Sequence, residues 1–188
     1  MSITARIDND IKSLRKYFQK KFELLQEAIE ENKTATIVAE DVNALESEQV
    51  FFRIDHFIKP DMLINIYSLV DFWLKEICNQ HKNRKNLSLG YNDIKGKNDL
   101  HVFQKYLIKV AGIDLTSVQN SYKHLDDLRV VRNKFIHNGG HVINENEKVK
   151  ISSIVGISIF ISEIDIEDSF IFNSLDKAKT YLFEAAKF

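Results

Sequence analysis

Pro60 is the single proline in this 188-residue chain, and only six glycines accompany it. Those two residue types are the strongest local breakers of regular structure, so a chain with so few of them is predisposed to long helices. Apolar spacing points the same way. Ile7, Ile11, Leu14, Phe18, Phe22, Leu25 and Ile29 recur at helical intervals with charges between them, which predicts an amphipathic helix over 4–31, ended by Asn32-Lys33-Thr34. Val42, Leu45, Val50, Phe51, Ile54 and Phe57 predict a second helix from about Ala39 to Ile58. Pro60 suits the first turn of a third, residues 60–81. That segment carries Met62, Leu63, Ile66, Tyr67, Leu69, Val70, Trp73, Leu74 and Ile77. It is apolar over most of its circumference, which places it at the centre of a bundle.

Residues 82–98 are polar, contain two glycines and lean positive, with Lys82, Arg84, Lys85, Lys95 and Lys97 against Asp93; they read as a connector. Leu100, Phe103, Tyr106, Leu107 and Val110 predict a short helix over 99–111. Asp114 or Thr116 is placed to cap the next, over 116–137, whose core face is Val118, Tyr122, Leu125, Leu128, Val131 and Phe135. Gly139 and Gly140 suit a left-handed stop. The period then changes to two. Val149-Lys150-Ile151 and Ile157–Ile161 read as strands, with Gly156 near a turn. Ser169-Phe170-Ile171-Phe172 is either a third strand or the lead into a last helix over 173–187, capped by Asn173 or Ser174, with Leu175, Ala178, Leu182 and Ala185 inward. The expected fold is mainly α: a helical bundle with a β-hairpin or short β element inserted before the C-terminal helix. Residues 1–58 form a helical extension packed on a core domain of residues 59–188, the two making one continuous globular unit.

With a formal net charge of −1, no global field draws the chain to nucleic acid or membrane, and anion binding must come from a local patch. Lone Cys78 excludes an internal disulfide and reads as a small buried residue. No apolar h-region opens the chain and no run of 18 apolar residues occurs, so a cytoplasmic protein without a membrane partner is expected. Walker A, dinucleotide-binding and zinc-finger spacings are lacking, and His124 and His137 are too far apart along the helix for an i,i+4 metal pair. Neither a metal nor a cofactor is expected.

Residues 132–137 read Arg-Asn-Lys-Phe-Ile-His, followed by Asn138-Gly139-Gly140. A fixed cation and a titratable imidazole thus stand at one helix end, where the dipole favours a cation. Five residues turn a helix through about 500°, leaving Arg132 and His137 about 140° out of register; they converge only if the helix frays or turns at its end. The plainer account is that both merely satisfy C-terminal carbonyls. Three details argue against it: the amide of Asn133 beside the arginine, the room left by the glycines, and the apolar Leu128, Val131, Phe135 and Ile136 that lock the helix.

The string RNKFIH resembles the R-N-x-x-x-H motif of the HEPN superfamily, and the context is similar: an acidic residue, Asp71, in the central apolar helix, then a helix ending in the motif and followed by glycine. The resemblance covers about residues 60–187. It implies a metal-independent endoribonuclease in which two motifs meet across a homodimer, often a toxin or phage-defence effector, and so an RNA substrate and an antitoxin or regulatory partner. Carried over, Arg132 binds the scissile phosphate, His137 is the general acid/base, Asn133 orients them, and Asp71 orients the arginine. Products are a 2′,3′-cyclic phosphate and a 5′-OH. Other members of the superfamily have lost catalysis and remain binding or dimerisation modules. The β element departs from the minimal helical pattern. His141 is a secondary proton carrier or phosphate donor, weighed against a plain loop residue. Lys134, Arg129, Arg84 and Lys85 are weaker substrate-binding candidates; each alone reads more simply as a solvated cation.

Overall fold

The computed structural model describes the backbone of residues 1–38 and 43–187, and the side chains of residues 1–28, 30 and 57–187. Within those bounds the chain is mainly helical: α1 (Ile3–Val38), α2 (Asn43–Arg84), α3 (Asp99–Lys109), α4 (Gln119–Asn138), α5 (Glu145–Ser152) and α6 (Asp168–Ala185), with β1 (Ile157–Phe160) and β2 (Glu163–Ile166) between the last two helices. The expected mainly helical fold with a small antiparallel element before the last helix is therefore observed.

α2 lies at the centre and packs against α1, α3, α4 and α6. Its apolar positions explain why: Met62, Leu63, Ile66, Val70, Trp73, Leu74 and Ile77 are all buried. Ile3, Ile7, Ile11 and Phe18 of α1 belong to the same core as Leu125, Leu128 and Val131 of α4 and Leu175, Ala178 and Leu182 of α6. The side chain of Ile29 and the apolar set from Val42 to Ile54 lie outside the described residues. Cys78 is buried, and burial pushes its thiol up to about 12.

Four local expectations are corrected. α1 runs on to Val38 through Asn32-Lys33-Thr34; those residues are only moderately poor helix formers, and no glycine or proline stands there to stop the chain. α2 passes through Pro60 instead of starting at it. An interior proline costs a hydrogen bond and roughly 3 kcal/mol. Pro60 is itself buried, and burial of Met62 and Leu63 with the Lys59–Asp168 ion pair at 3.2 Å offsets that loss. Val149-Lys150-Ile151 is helical, not a strand. Asn144 accepts from the backbone N–H groups of Asn146 and Glu147 at 2.9 and 3.2 Å, which fixes a helix start. The Lys148–Glu145 pair at 2.8 Å supports it. Finally, 169–172 belong to α6, whose N-cap is Glu167 rather than Asn173 or Ser174.

β1 and β2 pair antiparallel, Ile157 opposite Ile166 and Phe160 opposite Glu163. Ile161 in the connecting turn has φ +57°, the left-handed region that strains a β-branched residue. The hairpin is fastened to the segment after α4: Val142 N–H donates to the Ser162 carbonyl at 2.7 Å, and Ile164 N–H to that of Gly140 at 3.0 Å.

Candidate functional site

α4 presents the motif because its other face is committed to the core. Neither Asp114 nor Thr116 caps α4, whose N-cap is Val118 without a side-chain bond; the Asp114 carboxylate instead accepts from the Thr116 N–H at 2.9 Å and from the Thr116 hydroxyl at 2.7 Å in the turn before it. Leu125, Leu128 and Val131 are buried, while Tyr122 and Phe135 pack partly buried against the core. The helix stays regular through Asn138 and stops at Gly139, whose φ is +59°. Gly139 and Gly140 donate to the carbonyls of Phe135 and Lys134 at 3.1 and 3.2 Å. At Gly140 the need for glycine is steric as well: its φ is +83°, and a Cβ there would stand 2.5 Å from the Phe135 ring.

Regularity to Asn138 removes the expected fraying. Arg132 and His137 therefore stay about 140° apart around the helix and about 7.5 Å apart along it, and no hydrogen bond or ion pair joins them. Arg132 is half-buried and His137 exposed. One chain alone does not bring the two groups together.

What surrounds Arg132 is specific. Its Nη1 donates to Asn133 Oδ1 at 3.0 Å. Its guanidinium carbon stands 5.3 Å from the centre of the Tyr67 ring on α2, within cation–π range. Its Nε is buried and has no hydrogen-bond partner among the described residues. A buried, unsatisfied guanidinium N–H is costly, and an acceptor brought to it is correspondingly favoured. Tyr67 lies among charges. Burial pushes its hydroxyl up to about 12; the nearby Arg129 and Arg132 oppose this, whereas Asp71 and Asp99 reinforce it.

Within one chain Asp71 has another partner than Arg132. Its carboxylate is held by Lys75, one turn along α2, at 2.6 Å, and no ion pair links it to Arg132. The i,i+4 lysine is the nearer cation, and Tyr67 takes the place against the arginine. The other basic candidates divide by position. Lys134 pairs with Glu147 at 2.8 Å and Arg129 with Asp126 at 2.8 Å, both close to the motif. Lys85 donates to the Ala111 carbonyl at 2.5 Å, and Arg84 is exposed beside it. Seventeen residues of α2 separate Arg84 from Tyr67, about 25 Å, so Arg84 and Lys85 stand apart from Arg132 within one chain. His141 is half-exposed, 3.8 Å from Glu163, in a bridge that ties the hairpin to the motif's end.

Tyr67 was legible only as one apolar position of the central helix. Its spacing of one turn before Asp71 was a signal, but which helix faces it is decided by packing. Among the described residues no three His, Cys, Asp or Glu side chains group as a metal site, and no helix is long and apolar enough to cross a membrane. Neither family models, nor curated proteins, nor solved structures match this chain.

Proposed function

We propose that this protein is a metal-independent endoribonuclease of the HEPN type, acting as a homodimer whose two copies of the motif form one composite site. The observation that carries the reading is the state of Arg132: a half-buried guanidinium held by Asn133 and Tyr67, with no carboxylate paired to it among the described residues. A phosphate is the anion that a planar, unneutralised guanidinium suits. In this reading a ribose 2′-OH attacks the adjacent phosphorus. The P–O2′ bond forms and the P–O5′ bond breaks. The His137 imidazole that faces Arg132 across the dimer axis takes the 2′-OH proton and gives it to the departing 5′ oxygen. Arg132 holds the charge that grows on the phosphorane. Asn133 keeps the guanidinium in place, and His141 is a spare donor at the rim. The 140° between Arg132 and His137 in one chain supports a site shared with a second copy. A toxin or defence effector of the cytoplasm, restrained by an antitoxin or regulatory protein, is the setting this chemistry suits.

RNA cleavage in the presence of EDTA tests the reading, wild type against His137→Ala. Loss of about 10²–10⁴-fold is expected, with DNA left uncut for want of a 2′-OH. Clean wild-type protein that cuts no RNA sinks the proposal.

A second reading has its own support. Arg129 and Lys134 are each tied to a carboxylate, which leaves little free positive charge around Arg132, and the net charge is −1. That favours a non-catalytic HEPN-like dimer that binds a nucleotide, an RNA or a protein. The same assay separates the two: retained RNA binding without cleavage points to the module.

A further inference from the structure

The positioning of Arg132 is shared between two helices, and only one half of it lies in the motif. Asn133 restrains Nη1 from the same helix at 3.0 Å. From α2 the Tyr67 ring stands 5.3 Å from the guanidinium carbon. Tyr67 is fixed in turn: it packs partly buried against the core, between Ile66 and Val70, which are 0% and 1% exposed. The carboxylate that a motif comparison would put in this role, Asp71, is bound to Lys75. Among the described residues no carboxylate pairs with Arg132, so no neighbouring anion neutralises its charge.

We propose that Tyr67 is the positioning residue of this site: its ring, together with Asn133, holds the Arg132 guanidinium where it can meet a phosphate. The functional half of this rests on the ribonuclease reading; the geometric half does not. A carboxylate partner would orient the arginine but also neutralise it. An aromatic face orients it and leaves its charge available, which suits a group that must meet an anion.

The test compares three full-length proteins. Tyr67→Phe keeps the ring and removes the hydroxyl. Tyr67→Met fills similar space without a π-face, and Tyr67→Leu replaces it should the methionine variant fail to fold. The first measurement needs no ligand: the NMR signal of the Arg132 Nε–H. In wild type and Tyr67→Phe the ring current is expected to displace it from the ordinary arginine position; in Tyr67→Met it should return there. An ordinary position in wild type overturns the proposal. The second measurement is cleavage of single-stranded RNA. Tyr67→Met is expected to lose about 3- to 30-fold, the range of a partly desolvated cation–π contact, mostly in kcat rather than KM. Tyr67→Phe should restore most of it. Equal activity in all three, or a phenylalanine variant as impaired as the methionine one, also overturns it. If wild type cuts nothing, the ribonuclease reading falls alone. Binding of a 2′-O-methyl RNA then replaces cleavage, with the same ordering of variants expected. Failure of wild type and Tyr67→Met to differ in that binding counts against Tyr67.

Discussion

At the scale of single residues, His124 offers the clearest pH signature. Its Nε2 stands 2.9 Å from Ser174 Oγ, and the Ser174 hydroxyl already donates to the Phe170 carbonyl at 2.7 Å. The imidazole is therefore the donor, neutral and protonated on Nε2. Burial, helped by the nearby Lys177, pushes its pKa down to about 4. The unfolded chain takes up that proton at about pH 6.5 and the folded chain does not. Stability from this residue is thus complete above about pH 6.5, declines as pH falls, and levels off near pH 4. The upper bound is about 3 kcal/mol, reduced where solvent reaches the ring. His81, buried against the Ala185 carbonyl, is depressed by burial in the same direction. Urea unfolding at pH 7.5 and pH 5 should show the loss, and His124→Gln, which keeps a donor for Ser174, should flatten it. An unchanged slope in that variant would mean His124 is not the group responsible. Asp8 and Asp114 have lowered pKa values through their lysine and threonine partners, so their contributions fade only in more acid solution.

At the scale of elements, two predictions follow from how helices and turns are held. Leu128 is fully buried on the inner face of α4, so Leu128→Ala should cost roughly 2–5 kcal/mol in chemical denaturation. Ile161 is the opposite case, 79% exposed with φ +57°. Ile161→Asn should stabilise by about 1 kcal/mol, because asparagine tolerates the left-handed region; a lower melting temperature would show that the exposed isoleucine makes a contact of value. The same elements show where sequence reading holds. Regular apolar spacing identified the buried faces of α4 and α6, since period alone determines which side of a helix is apolar. It gave no account of α2 passing Pro60, which depends on Lys59, Met62 and Leu63 finding partners elsewhere. It read Val149-Lys150-Ile151 as a strand because two apolar residues alternate; the Asn144 cap and the Lys148–Glu145 pair decide otherwise. In the site, Arg132 and Asn133 were legible as neighbours in a motif. Tyr67 was not, because nothing in its own segment says that α4 lies across it.

At the scale of the molecule, the regular end of α4 sets the strongest demand. Arg132 and His137 point about 140° apart on one rigid helix, locked by Leu128 and Val131 within and by the Gly140–Phe135 contact at its stop. A single chain cannot apply both groups to one phosphate without unwinding that end. The proposed homodimer avoids this, because a two-fold axis through the motif would set the arginine of one copy against the histidine of the other. Sedimentation should then give a dimer at micromolar concentration. A sharper check is complementation between two inactive proteins. In a dimer of Arg132→Ala with His137→Ala, one of the two arginine–histidine pairings across the axis is intact and the other carries both losses. Random mixing makes half the dimers mixed, each with one sound pairing of two, so about a quarter of wild-type activity should return. Each variant alone has no sound pairing and should stay near the uncatalysed rate. No recovery from co-folded variants, with mixed dimers verified by mass, would place both groups' action within one chain, and the rigid-helix argument for a shared site would fail.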